Sequence, residues 1–193
     1  MSDQSPPNSK SKKKKEKKVS PIQMLRSLSR QLPTFSDFER LGFDMGIGHD
    51  GATAILLASQ LERLLEHVLA HKLNIPEAKR AALFEPEGPL PTFGGKVMLA
   101  YAIGLVDENT KREMNIIRQI RNAFAHTPNS INFSTPEIVA VCEPLARYLE
   151  ETIPAEHLPL KGLAAVLLNA PPNKQRQAYL NACMAICRRL LEP

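Results

Sequence analysis

From Pro21 onward, the apolar positions recur at spacings of three and four, the period of helices that bury one face. Residues 21–32 place Ile22, Leu25, Leu28 and Leu32 this way before a break at Pro33. Residues 34–43 read as a short helix with Thr34 or Ser36 as its N-cap. A loop from Met45 to Gly51 leads to Asp50, expected to cap a long helix from Ala52 to Leu73. That helix should bury Ile55, Ala58, Leu61, Leu65, Val68 and Leu69 and expose Gln60, Glu62, Arg63 and Lys72. Pro76 opens a short helix through Ala81 and Leu83, and the prolines and glycine of residues 85–91 impose a rigid turn.

The pattern continues with a helix from Lys96 to Ile103, stopped at Gly104 in the position after the C-cap. Asp107 is expected to cap a long helix reaching His126, and Thr127-Pro128-Asn129 to end it. Ser134 or Thr135 would cap a helix from Pro136 to Glu151, with the proline at its first position. An apolar stretch over 157–168 reads as helix, Pro171-Pro172 breaks it, and Asn173 to Leu191 forms the last helix. Strand signals are nearly absent, with residues 131–133 a faint exception. The expected fold class is all-α: a single bundle-like helical domain over 21–193 behind a tail over 1–20.

Charge sharpens the boundary at residue 20. The whole chain carries +5, which by itself suggests a nucleic-acid partner. Residues 1–20 hold seven lysines against Asp3 and Glu16, a net +5, so the remaining 18 basic and 18 acidic residues balance. The tail has no hydrophobic periodicity and is expected to be disordered. Its Lys12, Lys13, Lys14, Lys15, Lys17 and Lys18 form either a solubilising run or a nonspecific nucleic-acid tether. No apolar run approaches the ~18 residues of a membrane span, and no apolar segment follows the lysines as in a secretory signal. Three cysteines in no framework spacing point to reduced thiols and a cytoplasmic location.

The helix from Asp107 to His126 gathers the most suggestive chemistry. Ile116, Ile117, Ile120, Ala123 and Phe124 form its apolar arc, while Arg118, Asn122 and His126 follow one another at i+4 steps on the other side, with Arg121 beside Arg118. A histidine can act as general acid or base near neutral pH, and an arginine can stabilise the charge of a phosphodiester transition state without metal. The same residues can instead be structural, with His126 as a cation at a helix C-terminus and Arg121 and Asn122 bonded to the preceding turn. His67 and His71 stand four apart but lack the Glu of a zinc-protease frame and a nearby third ligand, so a helix face is expected there and no metal site. Cys183 and Cys187 suit buried small apolar positions. No helix presents the basic recognition face of a helix-turn-helix. Neither a phosphate-cradling loop nor a dinucleotide fingerprint is present, and no cofactor is expected.

Two separated motifs then carry a family resemblance. Gly88-Pro89-Leu90, followed after a spacer by Lys96-Val97-Met98-Leu99-Ala100-Tyr101-Ala102-Ile103-Gly104-Leu105-Val106, resembles the mannitol operon repressor (MltR-like) family. So does Ile117-Arg118-Gln119-Ile120-Arg121-Asn122-Ala123-Phe124-Ala125-His126, with an apolar-aromatic segment near Phe133. The resemblance covers roughly residues 48–150, and the Gly94-Gly95 spacer departs from it slightly. It implies an all-helical domain akin to the HEPN superfamily, whose catalytic members cleave RNA without metal through an Arg and a His from each of two protomers. Matched to this sequence, Arg121 and His126 would be the reacting pair and Asn122 the polar residue after the arginine. The first expectation is a regulator that acts through protein contacts as a homodimer, not an enzyme. The alternative is a HEPN-type ribonuclease using Arg121, Asn122 and His126.

Overall fold

The computed structural model describes residues 34, 36, 49–128, 130–149 and 173–191, all within the unit Leu32–Pro193. The lysine tail, the expected helices over 21–32 and 34–43 (apart from Thr34 and Ser36) and the apolar stretch 157–168 lie outside the described residues. What is described is all-helical, without a strand: α1 Asp50–Lys72, α2 Glu77–Phe84, α3 Phe93–Ala102, α4 Glu108–His126, α5 Pro136–Cys142, a 3-10 helix Glu143–Leu149, and α6 Lys174–Leu191. None of these helices is long and apolar enough to cross a membrane.

Helix α1 is the central element, packed against α3, α4 and α6. It buries Ala54, Leu57, Ala58, Leu61, Leu64, Leu65 and Leu69 almost completely. Each such leucine contributes about 1.5–3 kcal/mol of hydrophobic free energy. The buried stripe is rotated slightly from the expected one: Ile55 and Val68 are only half-buried, whereas Leu57 and Leu64 are inside. The helix stops in a Schellman motif, with Asn74 at φ 52° and the N–H groups of Asn74 and Ile75 donating to the His71 and Ala70 carbonyls. Helix α3 ends the same way at Gly104, φ 72°, where the Gly104 and Leu105 N–H groups donate to Tyr101 and Ala100. Gly88 serves the turn between α2 and α3, since a Cβ there would lie 2.5 Å from the Leu83 carbonyl oxygen.

Three boundaries differ from expectation for identifiable reasons. Helix α3 begins at Phe93 and includes Gly94-Gly95, because the Thr92 hydroxyl accepts from the Gly95 N–H (3.1 Å) and caps it. The helix expected over 136–151 changes to 3-10 geometry after Cys142: Pro144 has no N–H to offer the Ala140 carbonyl, which takes the Glu143 N–H instead. Asp50 is the first residue of α1, not its cap. Its carboxylate accepts from the Phe133 N–H (2.9 Å) and lies 3.6 Å from Arg176. Residues 131–133 form no strand. They enter a turn in which Asn132 Oδ1 accepts from the Ser134 N–H and Thr135 Oγ1 from the Asn132 N–H.

That turn delivers Phe133 to the core. Its ring is fully buried between Phe124 of α4 and Tyr179 of α6, with centroids 5.2 and 5.4 Å away. Tyr179 completes the link by donating its hydroxyl to the Ala54 carbonyl at 2.7 Å. Helix α6 starts at an Asn173 cap, whose Oδ1 accepts from the Arg176 N–H. The three cysteines are free thiols buried on α5 and α6, and burial pushes that of Cys142 up to about 11 and raises those of Cys183 and Cys187 well above the ordinary thiol value.

Candidate functional site

Helix α4 positions the residues in question. Its start is fixed by Asp107, whose carboxylate accepts from the Thr110 N–H at 2.7 Å. Bonds from Thr110, and secondarily the charges of Arg189 and Arg147, hold the Asp107 carboxyl below its ordinary range. Met114, Ile117 and Ile120 then face the core, and the helix reaches His126 before Thr127 ends it.

The motif's residues are not all presented in one direction. Arg121 turns toward α1: its guanidinium lies 3.7 Å from the Glu62 carboxylate, its side chain is 26% exposed, and its Nε is buried without a hydrogen-bond partner. Glu62 is shared. Lys96 of α3, a buried lysine, places its ammonium 3.2 Å from Glu62 and 2.7 Å from Glu66. Two cations and two carboxylates thus form a balanced cluster between α1, α3 and α4, and Lys96 also lies over the Phe84 ring at 5.8 Å. Five residues further along α4, about 140° around its axis, His126 occupies the exposed last turn. Asn122 is half-buried between them, and neither Asn122 nor His126 has a side-chain hydrogen bond among the described residues. The structural alternative in which Arg121 and Asn122 bond to the preceding turn does not occur.

Arg118 is the arginine on the ridge of Asn122 and His126. Its Nε donates to Asn115 Oδ1 at 3.3 Å, its stem lies along Gly94 of α3, and it has no carboxylate partner among the described residues. The ridge continues toward the helix start through Asn115, which donates to the Lys111 carbonyl, and Lys111, whose ammonium sits 3.9 Å from the Tyr101 ring centroid. Met98 of α3, which lies in sequence between the Gly94 and Tyr101 that meet Arg118 and Lys111, is 55% exposed. Arg118, Asn122 and His126 therefore share an open face with exposed apolar surface, while Arg121 belongs to the buried ion cluster.

Other candidates fall into simpler roles. Nδ1 of His67 lies 3.4 Å from Arg80, and burial and that charge lower its pKa, while His71 is exposed. Among the described residues no group of three His, Cys, Asp or Glu side chains could hold a metal ion.

A second polar centre escapes a reading for catalytic motifs. Glu113 is buried in the first half of α4, where its carboxylate accepts from the Tyr148 hydroxyl at 2.6 Å and pairs with Arg147. The same phenol oxygen accepts from Arg147 (3.0 Å) and from Arg189 of α6 (3.2 Å). Burial, then the bond to Glu113, raise the Tyr148 pKa, so the phenol stays protonated and donates. The signal in the sequence is Glu113 itself, an acid four residues before Ile117 and seven before Ile120 on the apolar stripe. No known protein family matches the chain significantly, and neither a curated protein nor a solved structure does.

Proposed function

We propose that this chain is a regulator of gene expression of the mannitol-operon-repressor type, acting as a homodimer through protein contacts. One observation supports this reading over catalysis: Arg121, the arginine of the R-N-x-x-x-H motif, is paired with Glu62 inside the Lys96 cluster. A transition-state-stabilising guanidinium must meet the developing phosphate charge, and here a carboxylate already occupies its neighbourhood. The motif then acts chiefly as a tie between α4 and α1. The mixed face of Arg118, Asn122, His126 and Met98 serves partner contact, since interfaces favour Arg and Met and disfavour uniform charge. The charge balance of residues 21–193 agrees, because it leaves nonspecific nucleic-acid contact to the lysine tail.

The test uses the full chain. Changing Lys12, Lys13, Lys14, Lys15, Lys17 and Lys18 together to Gln should remove salt-sensitive DNA retention while sedimentation still shows a dimer. Retention by this variant, or a monomer at micromolar concentration, counts against the reading. The second reading is a metal-independent ribonuclease, favoured by the exposed His126, which has no side-chain hydrogen bond among the described residues and lies two turns along α4 from Arg118 on the same side. In it His126 would take the proton of the attacking hydroxyl and an arginine would face the phosphate. RNA cleavage in EDTA that His126→Ala abolishes would establish it in place of the first.

A further inference from the structure

Helix α2 depends on its neighbours to stay in place. Its eight residues are too few to hold a helix in water without tertiary support. Its N-cap Pro76 makes no side-chain cap bond, and Glu77, Ala78, Lys79, Ala81 and Ala82 are exposed. At the C-terminal end Phe84 is buried and Leu83 is partly buried against the core. Toward the middle the attachment is polar: Nη1 of Arg80 donates to Nδ1 of His67 on α1 at 3.4 Å. We propose that His67 and Arg80 form a pH-sensitive latch for α2, closed while the imidazole is neutral and open once it takes a proton.

The chemistry of the two groups dictates the direction. A guanidinium stays protonated at any ordinary pH and carries donors but no acceptor. Nδ1 of His67 is therefore the bare, accepting nitrogen, and the ring proton sits on Nε2. A proton added to Nδ1 sets donor against donor and cation against cation, so the bond is replaced by repulsion. The surroundings offer that proton little compensation. On α1 the ionisable residues one turn away are Arg63 and His71, and on α2 Arg80 and Glu77 face the ring. Burial, then the charges of Arg80 and His71, lower the His67 pKa from its ordinary 6.5, whereas Glu77 acts the other way. Glu77 is a weak counterweight, because its side chain is 81% exposed and its carboxylate already pairs with Arg80 at 3.0 Å. Arg80 is under-satisfied even in the closed form, since its buried Nε has no hydrogen-bond partner. Folding disfavours the protonated ring, so the latch's contribution is complete above pH 6.5 and is lost as the pH falls through the lower folded value. Opening uncovers Phe84 and, 5.8 Å from its ring centroid, the Lys96 ammonium of the ion cluster. The latch is independent of whether the chain regulates or cleaves.

The experiment is amide hydrogen exchange of the full chain at about pH 7.5 and about pH 5.5, on either side of the histidine range. Each rate is corrected for the intrinsic effect of pH, and imidazole nitrogen spectra are recorded on the same samples. At the higher pH the spectra should show His67 neutral, with its proton on Nε2. Between the two conditions, protection of the amides of residues 81–85 should fall by about threefold or more, the scale of a partly exposed polar contact, while protection in α6 holds. His67→Gln keeps an acceptor for Arg80 but takes no proton, and should abolish this pH dependence with α2 still docked. Should it fail to fold, Arg80→Gln serves in its place, because an amide can pair with either form of the ring and should abolish the pH dependence too. Protection in α2 that is the same at both conditions overturns the proposal, as does an equal loss in α6. So does a proton on Nδ1 of His67 at the higher pH, or a pH dependence that persists in either folded variant.

Discussion

The two halves of α4 treat their polar side chains in opposite ways. In the first half Glu113 is buried, and Tyr148 and Arg147 surround its carboxylate. In the second half Asn122 and His126 reach outward without partners, and only Arg121 is drawn back against α1. The difference follows from what covers each half. The 3-10 helix and α6 bring Tyr148, Arg147 and Arg189 over the first half, whereas no described side chain hydrogen-bonds to Asn122 or His126 in the second half. Similar residue types therefore do different work on one helix: at the closed end they hold elements together, and at the open end they are available to a partner.

The comparison is broken most severely by removing its buried member. Glu113→Ala removes the carboxylate that pairs with Arg147 and the acceptor of the Tyr148 hydroxyl, and should cost roughly 2–3 kcal/mol, the range for a charged hydrogen bond lost in a covered site. The upper end is limited because the Arg147 side chain is 43% exposed and water can replace part of the loss. Urea unfolding measures this directly, and a midpoint indistinguishable from wild type would mean that the closed end is solvated like the open one.

Arg121→Ala tests the residue that joins the two ends. It should lower stability by about 1–1.5 kcal/mol, because the ion pair is long and partly exposed while the arginine stem packs against α1. The Lys96 bridges to Glu62 and Glu66 remain and limit the damage. A loss of RNA cleavage with unchanged stability would be the opposite outcome, and would move Arg121 from the ion cluster to the reacting site.

The helices were legible because most of their buried positions repeat at three and four and their ends carry local signals. Asp107 caps its helix through a bond to backbone three residues on, and Gly104 ends its helix at a positive φ, both as the local sequence predicts. Asp50 looked like the same kind of signal, but its carboxylate bonds to Phe133, 83 positions away, and spacing along one helix carries no information about that. The sequence marks Lys96 as the start of a helix and of the family-like motif, and Glu62 as an exposed residue. Their burial together depends on α3 crossing α1 at that point, a tertiary fact. The wheel correctly put Arg118, Asn122 and His126 on one side of α4 and Arg121 about 60° from Arg118. Which neighbour Arg121 would meet could not be read from α4 alone. Glu113 was legible in principle, as an acid on an apolar stripe signals a buried partner, but Tyr148 and Arg189 lie 35 and 76 positions further on.

A smaller effect is expected at the start of α4, where Asp107→Ala should cost about 1 kcal/mol at neutral pH through loss of the cap. Because the folded carboxyl titrates below its ordinary 3.8, its ionised form is favoured by folding. The charge-dependent part of its contribution is therefore complete above about pH 4 and is lost as the pH falls through the lower folded value. The gap between wild type and Asp107→Ala should stay constant from pH 7 to about 4.5 and narrow below. Asp107→Asn keeps a capping acceptor but no charge, so its loss at pH 7 should be smaller than that of Asp107→Ala.

The smallest stability change should come from His126→Ala. An exposed side chain in the last turn of a helix, with no partner to lose, falls within about 0.5 kcal/mol of wild type. That small effect is what makes the variant decisive, because any functional loss cannot be ascribed to unfolding. On the regulator reading, purified protein leaves RNA intact in EDTA with or without His126, and the substitution acts on partner contact alone. Cleavage by wild type and none by His126→Ala would turn the open end of α4 into an active site. The guanidinium to examine next would then be Arg118, which shares the His126 ridge and has no carboxylate partner among the described residues. Arg121 would follow, since it would first have to leave Glu62.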